Sequence, residues 1–188
     1  STILSQNTND ANRDRAFQSL RRNFPTWEQV RDGAESAVID AIKTAGLANQ
    51  KGPRIQQVLR EITAERGSLD LGFLADLPLE DARAWLLKFK GVGPKTAAIV
   101  LCFSLGRPAF PVDTHIYRVS GRLGLRPEKM SVEAAHQHLE SLFPPESFYA
   151  AHLNLIRLGR ELCSPRKPGC LRCPLETLCQ YARDAKNE

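Results

Sequence analysis

Long apolar runs are missing from this chain of 188 residues. No stretch approaches the roughly 20 residues that a membrane-spanning helix needs, and no signal peptide is visible. That excludes a helical membrane anchor within this sequence. Strand patterns are missing too: no run alternates apolar and polar side chains cleanly enough to mark one, which excludes a sheet-based core. There are no internal repeats and no low-complexity tracts, so solenoid and tail-like readings fall away. Cysteine is sparse and odd in number, five residues, which argues against a secreted disulfide framework and for a reducing compartment. An initiating Met is absent as well. The chain opens at Ser1, already in mid-pattern at Thr2-Ile3-Leu4-Ser5, and a segment upstream of it is expected.

What is present is the composition of an ordinary soluble globular protein, 42% hydrophobic and 25% charged, long enough for one large domain or two small ones. The formal net charge of +5 and sequence pI near 9.1 favour a polyanionic partner. The periodicity is helical nearly throughout. Ala16, Phe17 and Leu20 precede Thr26, which reads as a helix N-cap. Ala37-Val38-Ile39-Ala41-Ile42 reads as an amphipathic helix ending at Gly46. Ile55, Val58, Leu59 and Ile62 repeat at helical spacing, with Pro53 near the start of that helix and Gly67 after its end. Leu74, Leu77, Ala82, Trp85, Leu86 and Phe89 continue the pattern. The sequence thus predicts an all-α protein of eight to ten short helices. The proline-containing segment Pro108-Ala109-Phe110-Pro111 separates two helical regions. It places a domain junction at Arg107-Pro108, giving domains 1–107 and 108–188.

Four of the five cysteines, Cys163, Cys170, Cys173 and Cys179, fall within seventeen positions as C-x6-C-x2-C-x5-C. A central C-x2-C lets two sulfurs chelate from one turn, and the outer two close the cage. Four all-sulfur ligands suit either zinc or an iron–sulfur cluster. Cys102, far away in an apolar run, reads as a small core residue.

Residues 82–105 read as helix, tight turn, helix around Gly91-Val92-Gly93-Pro94-Lys95. Gly91 and Gly93 allow positive φ and close backbone approach. Pro94 fits the first position of the second helix. Such a turn presents free N–H groups beside a positive helix end, a ready phosphate site, and matches a helix-hairpin-helix. A plain αα corner would use the same residues. Lys95 lies in the first turn of that helix, where a cation is disfavoured. With partial burial its amine would be neutral more often, and a neutral amine can attack a sugar C1′ and form a Schiff base. A surface lysine touching a phosphate is the plainer reading. Asp113 follows the proline-kinked run Phe110-Pro111-Val112 and reads as the N-cap of the next helix. An ionised carboxylate there could stabilise a developing oxocarbenium ion or activate an amine or water. His115 could face the same region. His136 and His138 sit in a polar stretch and are expected in solvent. His152 is expected to pack, and Trp27 and Trp85 read as core anchors.

Together, Gly91-Val92-Gly93-Pro94-Lys95-Thr96-Ala97, Val112-Asp113-Thr114-His115-Ile116-Tyr117-Arg118-Val119 and the cysteine spacing resemble the endonuclease III family of DNA glycosylases, in the helix-hairpin-helix-Gly-Pro-Asp superfamily. Leu4-Ser5-Gln6-Asn7-Thr8 and Gly46-Leu47-Ala48-Asn49-Gln50-Lys51 fit as well, so the resemblance covers essentially the whole chain. It implies two helical domains flanking a DNA-binding cleft: a six-helix barrel domain with the hairpin, and a second domain ending in a [4Fe-4S] cluster on Cys163, Cys170, Cys173 and Cys179. It implies Lys95 as nucleophile and Asp113 as its carboxylate partner. Gln6 would fill the gap left by a flipped nucleotide and Leu47 would wedge opposite it. Gln50, Lys51, Gly91, Gly93, Arg166 and Lys167 would contact DNA. The implied partner is double-stranded DNA with a damaged base or abasic site, bound by a monomer with no membrane association. The implied setting is the cytoplasm and nucleoid of a prokaryote, or otherwise a nucleus or mitochondrion. The implied activity is bifunctional: removal of oxidised pyrimidines, then β-elimination at the abasic site. A mismatch or adenine glycosylase without lyase activity, or a DNA-binding module with structural zinc, are the alternatives; Lys95 argues against the former. Two departures touch DNA-facing elements. Pro94 stands where a basic residue is common in bacterial pyrimidine-specific members, and Leu69 to Phe89 is longer than the usual connection.

Overall fold

The computed structural model describes residues 2–184, and among them every regular element is a helix. The all-α expectation holds, with ten α-helices joined by shorter turns. No helix among the described residues is long and apolar enough to cross a membrane. The chain divides into two compact units, one ending at Thr96 and one starting at Ala97. This division falls inside a helix, earlier than the Arg107-Pro108 junction expected from proline content. Proline breaks the helix pattern there, but packing has already changed partners.

The first unit contains α1 (Asp10–Asn23), α2 (Trp27–Asp32), α3 (Glu35–Ala41), α4 (Ala48–Arg66) and α5 (Leu79–Leu87). Local chemistry sets the boundaries. Asn9 caps α1 by accepting from Asn12 N. Thr26 and Gln29 form a reciprocal capping box on α2, as Thr26 promised. The long α4 runs across the unit and packs on α2 and α3. It begins at Ala48, ahead of Pro53, because Leu47 adopts φ 51° and turns the chain into the helix. It ends at Gly67, whose φ of 72° is the left-handed conformation glycine tolerates best. A methyl at Gly52 would stand 2.8 Å from Ile39 Cγ1, so α3 and α4 meet at a glycine. Leu4, Leu20, Val30, Val38 and Ile42 fill the core beneath. A second apolar cluster, Val58, Ile62 and Phe89 with Trp85 and Val92, anchors the end of α5.

In the second unit, α6 (Pro94–Ile99), which starts in the first, continues into a wider π turn over Val100–Ser104. A non-helical stretch over 109–113 follows, then α7 (Thr114–Leu123), α8 (Val132–Leu142), α9 (Phe148–Glu161) and, after the cysteine loop, α10 (Gln180–Asp184). Phe110, Val112, Ile116, Val119, Leu139, Phe148 and Leu155 make its core. The helices α7 and α9 cross closely, because a methyl at Gly159 would lie 2.9 Å from His115 Cβ. Cys102 packs against this core, and burial pushes its thiol up, as a small core residue's should be.

Candidate active site and metal centre

The hairpin turns sharply after α5. Val92 N donates to Phe89 O at 3.0 Å, and Gly91 sits at φ 86°. A side chain at position 91 would put its Cβ 2.1 Å from Arg54 Cδ, so it would have to push that flexible side chain aside as well as adopt a positive φ. Gly93 is exposed, with nothing within 4 Å of a built Cβ, and Pro94 opens α6 as expected. Gln6 is held here: its Nε2 donates to Gly91 O at 2.9 Å. Leu47, 48% exposed, stands on the turn before α4, and Gln50 is exposed in the first turn beyond it.

Lys95 is exposed in the first turn of α6. The partial burial expected for it is not found. Lys51 is a second correction. Expected to reach DNA, it is 2% exposed, and its Nζ donates to Leu4 O at 3.0 Å and Ala45 O at 2.8 Å. Burial pushes its amine below the ordinary lysine value. The register explains the misplacement: Lys51, Ile55, Val58 and Ile62 fall on one face of α4, the buried one. The ammonium joins the segment that carries Gln6 to the turn that carries Leu47.

Asp113 is buried at 9% exposure and caps α7, its Oδ1 accepting from Ile116 N at 2.8 Å. Its carbonyl accepts from Tyr117 N. His115 is half-buried, with Nδ1 3.2 Å from an Arg118 nitrogen. Arg118 reaches on to Cys163 O and Gly159 O, tying α7 to the end of α9.

The four clustered thiols line one pocket, closed by apolar side chains such as Val119, Leu158 and Leu162. Burial pushes the Cys170 thiol up, and the nearby sulfurs of Cys179, Cys163 and Cys173 add to it, offset by Arg122. Arg122 also donates to Cys163 Sγ at 3.2 Å and to Ser164 O and Pro165 O, while Cys179 Sγ donates to Arg122 O. Four thiols lining one pocket beside one guanidinium are the donor chemistry that a thiolate-bound centre uses. No group of three or more ligating side chains among the described residues is arranged to hold a single metal ion. The loop that closes the pocket holds Arg166 and Lys167 exposed.

Three residues escaped the sequence reading as a group. His136, expected in solvent, is 3% exposed, and His152 is 4% exposed. With Glu140 they hydrogen-bond the backbone just before Asp113. A proline-bearing buried stretch that cannot be helical needs side-chain partners, and that was the available signal. His138 is half-buried, its Nε2 2.9 Å from Leu125 O. Trp27 and Trp85 are half-buried and pack as anchors, Trp85 edge-on to Phe73 and Phe89.

An all-helical fold with a glycine hairpin, an adjacent exposed lysine, a capping aspartate and a four-thiol pocket is the architecture of helix-hairpin-helix DNA repair proteins. Residues 1–145 match the HhH-GPD superfamily base excision DNA repair proteins. The chain belongs to that superfamily and is endonuclease III-like within it. It is 33% identical to endonuclease III of Thermotoga maritima over 189 residues, covering all of this chain and 84% of that protein. An Arabidopsis thaliana protein named as a DNA glycosylase is 38% identical over 162 residues, 86% of this chain and 55% of that protein. The chain therefore spans only about half the length of that relative. Among solved structures, a trapped endonuclease III–DNA covalent intermediate superposes with a TM-score of 0.84 at 29% identity, over 98% of this chain and 82% of that one. A thermostable thymine-DNA glycosylase gives 0.82 at 26% identity, over 97% and 81%.

Proposed function

We propose that this chain is a bifunctional DNA glycosylase. It would excise oxidised pyrimidines from double-stranded DNA and cut the strand at the resulting abasic sugar. The observation that carries this reading is Lys95: an exposed amine in the first turn of α6, directly behind the Gly91–Gly93 turn. Backbone N–H groups of such a turn hold a phosphate without reading sequence, which sets a lysine beside the deoxyribose of a bound strand. The damaged base is rotated out of the stack. Its C1′–N bond breaks and the base leaves with a proton. The Asp113 carboxylate stabilises the positive charge that develops on the sugar; one of its oxygens is already fixed by the α7 cap. The Lys95 ammonium supplies the proton that leaves with the base, its freed lone pair bonds to C1′, and a second N–H proton passes to the ring oxygen as the sugar opens to the protonated imine. Loss of a C2′ proton then expels the 3′ phosphate oxygen, cutting the strand. Gln6 and Leu47 would occupy the gap in the duplex, and Arg166 and Lys167 would meet phosphates.

Cys163, Cys170, Cys173 and Cys179 would hold a [4Fe-4S] cluster, whose contribution is to fold and fasten the basic loop. Iron quantification would give about four irons per chain for the cluster and none for zinc.

Borohydride trapping on a duplex carrying an oxidised pyrimidine tests the chemistry. A covalent adduct with the native protein, absent in Lys95→Ala, is expected. Failure of the native protein to trap on either that duplex or an abasic-site duplex would remove the lyase step and leave a monofunctional glycosylase.

A further inference from the structure

Asp113 is reached through a length of chain that has no helix to satisfy its backbone and no strand partner among the described residues. Phe110, Pro111 and Val112 are all buried, Phe110 completely. Buried backbone N–H and C=O groups left unpaired are costly, so partners must come from elsewhere. They come from side chains on α8 and α9. Phe110 N donates to Glu140 Oε1 at 2.8 Å. His136 Nδ1 lies 3.0 Å from Phe110 O and 3.3 Å from Val112 N. With a proton on Nδ1 it donates to the first; with Nδ1 bare it accepts from the second. His152 Nδ1 lies 2.9 Å from Pro111 O, and a carbonyl can only accept, so this nitrogen carries the proton. The side chain of Phe110 is fixed as well, stacked on Phe143 with ring centroids 5.2 Å apart and edge-on to Phe148 at 5.4 Å.

We infer that His136, Glu140 and His152 are positioning residues that set the Asp113 carboxylate for base removal. Each grips one or two backbone groups within three residues of Asp113, and none needs to touch DNA. The backbone they hold leads directly into the α7 cap, so a shift of Pro111 moves the Asp113 carboxylate with it. A packing role alone would be met by apolar side chains at 136 and 152, without a ring nitrogen aimed at the backbone from each. The inference rests on the proposed role of Asp113.

The test is a double-mutant cycle read by single-turnover base excision on a thymine glycol duplex. Binding to a duplex with a non-cleavable abasic analogue is read alongside. His152→Leu is expected to slow excision by about 10- to 100-fold, the cost of misplacing a reacting group by about an ångström, with binding unchanged. His152→Asn keeps an N–H at the Nδ1 position and is expected to recover most of the rate. In an Asp113→Asn background, His152→Leu is expected to add nothing to the loss. An equal fold-loss in both backgrounds would overturn the inference and leave a purely structural histidine. Should His152→Leu not fold, Glu140→Leu runs through the same cycle with the same two outcomes. If Asp113→Asn itself excises at the native rate, the proposed role of Asp113 falls, and the inference with it; that result is distinct from additivity.

Discussion

A lysine sealed in a protein interior, its ammonium held by backbone carbonyls, is an expensive residue to keep, and Lys51 is one. Replacing it with Met would relieve the burial of a charge but orphan two carbonyls. Removing one partner from a buried hydrogen bond costs about 1–3 kcal/mol, so Lys51→Met is expected to destabilise the chain by about that much in urea unfolding. The pH dependence has a definite sign. Burial holds the folded amine below its ordinary 10.5, so the unfolded chain binds this proton more tightly. The full cost of burying the charge is present below the depressed value and is shed as pH rises from there towards 10.5. The stability gap between native protein and Lys51→Met should therefore widen from pH 8 to pH 10; a constant gap would mean the amine is not held low. Gly91 makes a simpler case. Alanine there must adopt φ 86° and displace Arg54, so a loss of at least about 1–2 kcal/mol is expected in the same assay.

The α7–α9 crossing makes a prediction at the level of elements. Gly159→Ala would gain up to about 1 kcal/mol of helix propensity. It would also press a methyl to within 2.9 Å of His115 Cβ, which is not the movable end of a side chain. Overpacking typically costs about 1–3 kcal/mol, so a lower thermal midpoint is expected, and an unchanged one would show that α9 can retreat freely. The elements also show what could be read beforehand. Thr26, Pro94, Gly67 and Asp113 fixed helix ends through caps, whose chemistry is local, and all four stand where the sequence put them. The burial of Lys51 is legible too, in its helical register with Ile55 and Ile62. His136 was not. Its burial depends on Phe110 and Val112, twenty-six and twenty-four residues away, and no local pattern encodes that meeting. The compact units divide at a different place from the proline junction for a similar reason: proline marks where a helix must stop, not where packing changes partners.

At the scale of the whole molecule, the proposed DNA binding, for which the net charge of +5 is suited, would be a function of salt. The logarithm of affinity should fall linearly with that of salt concentration. Replacing both Arg166 and Lys167 by Ala should flatten the slope by about 2, roughly one phosphate for each cation lost. An unaltered slope would place the cysteine loop away from the backbone. The two units also share a helix, since α6 begins in one at Pro94 and ends in the other at Ile99. Anyone who splits the gene at this seam cuts α6 one residue after Lys95, between Thr96 and Ala97. Each half would then carry part of the α6 sequence, and the proposed activity should return only when mixing the halves restores that helix.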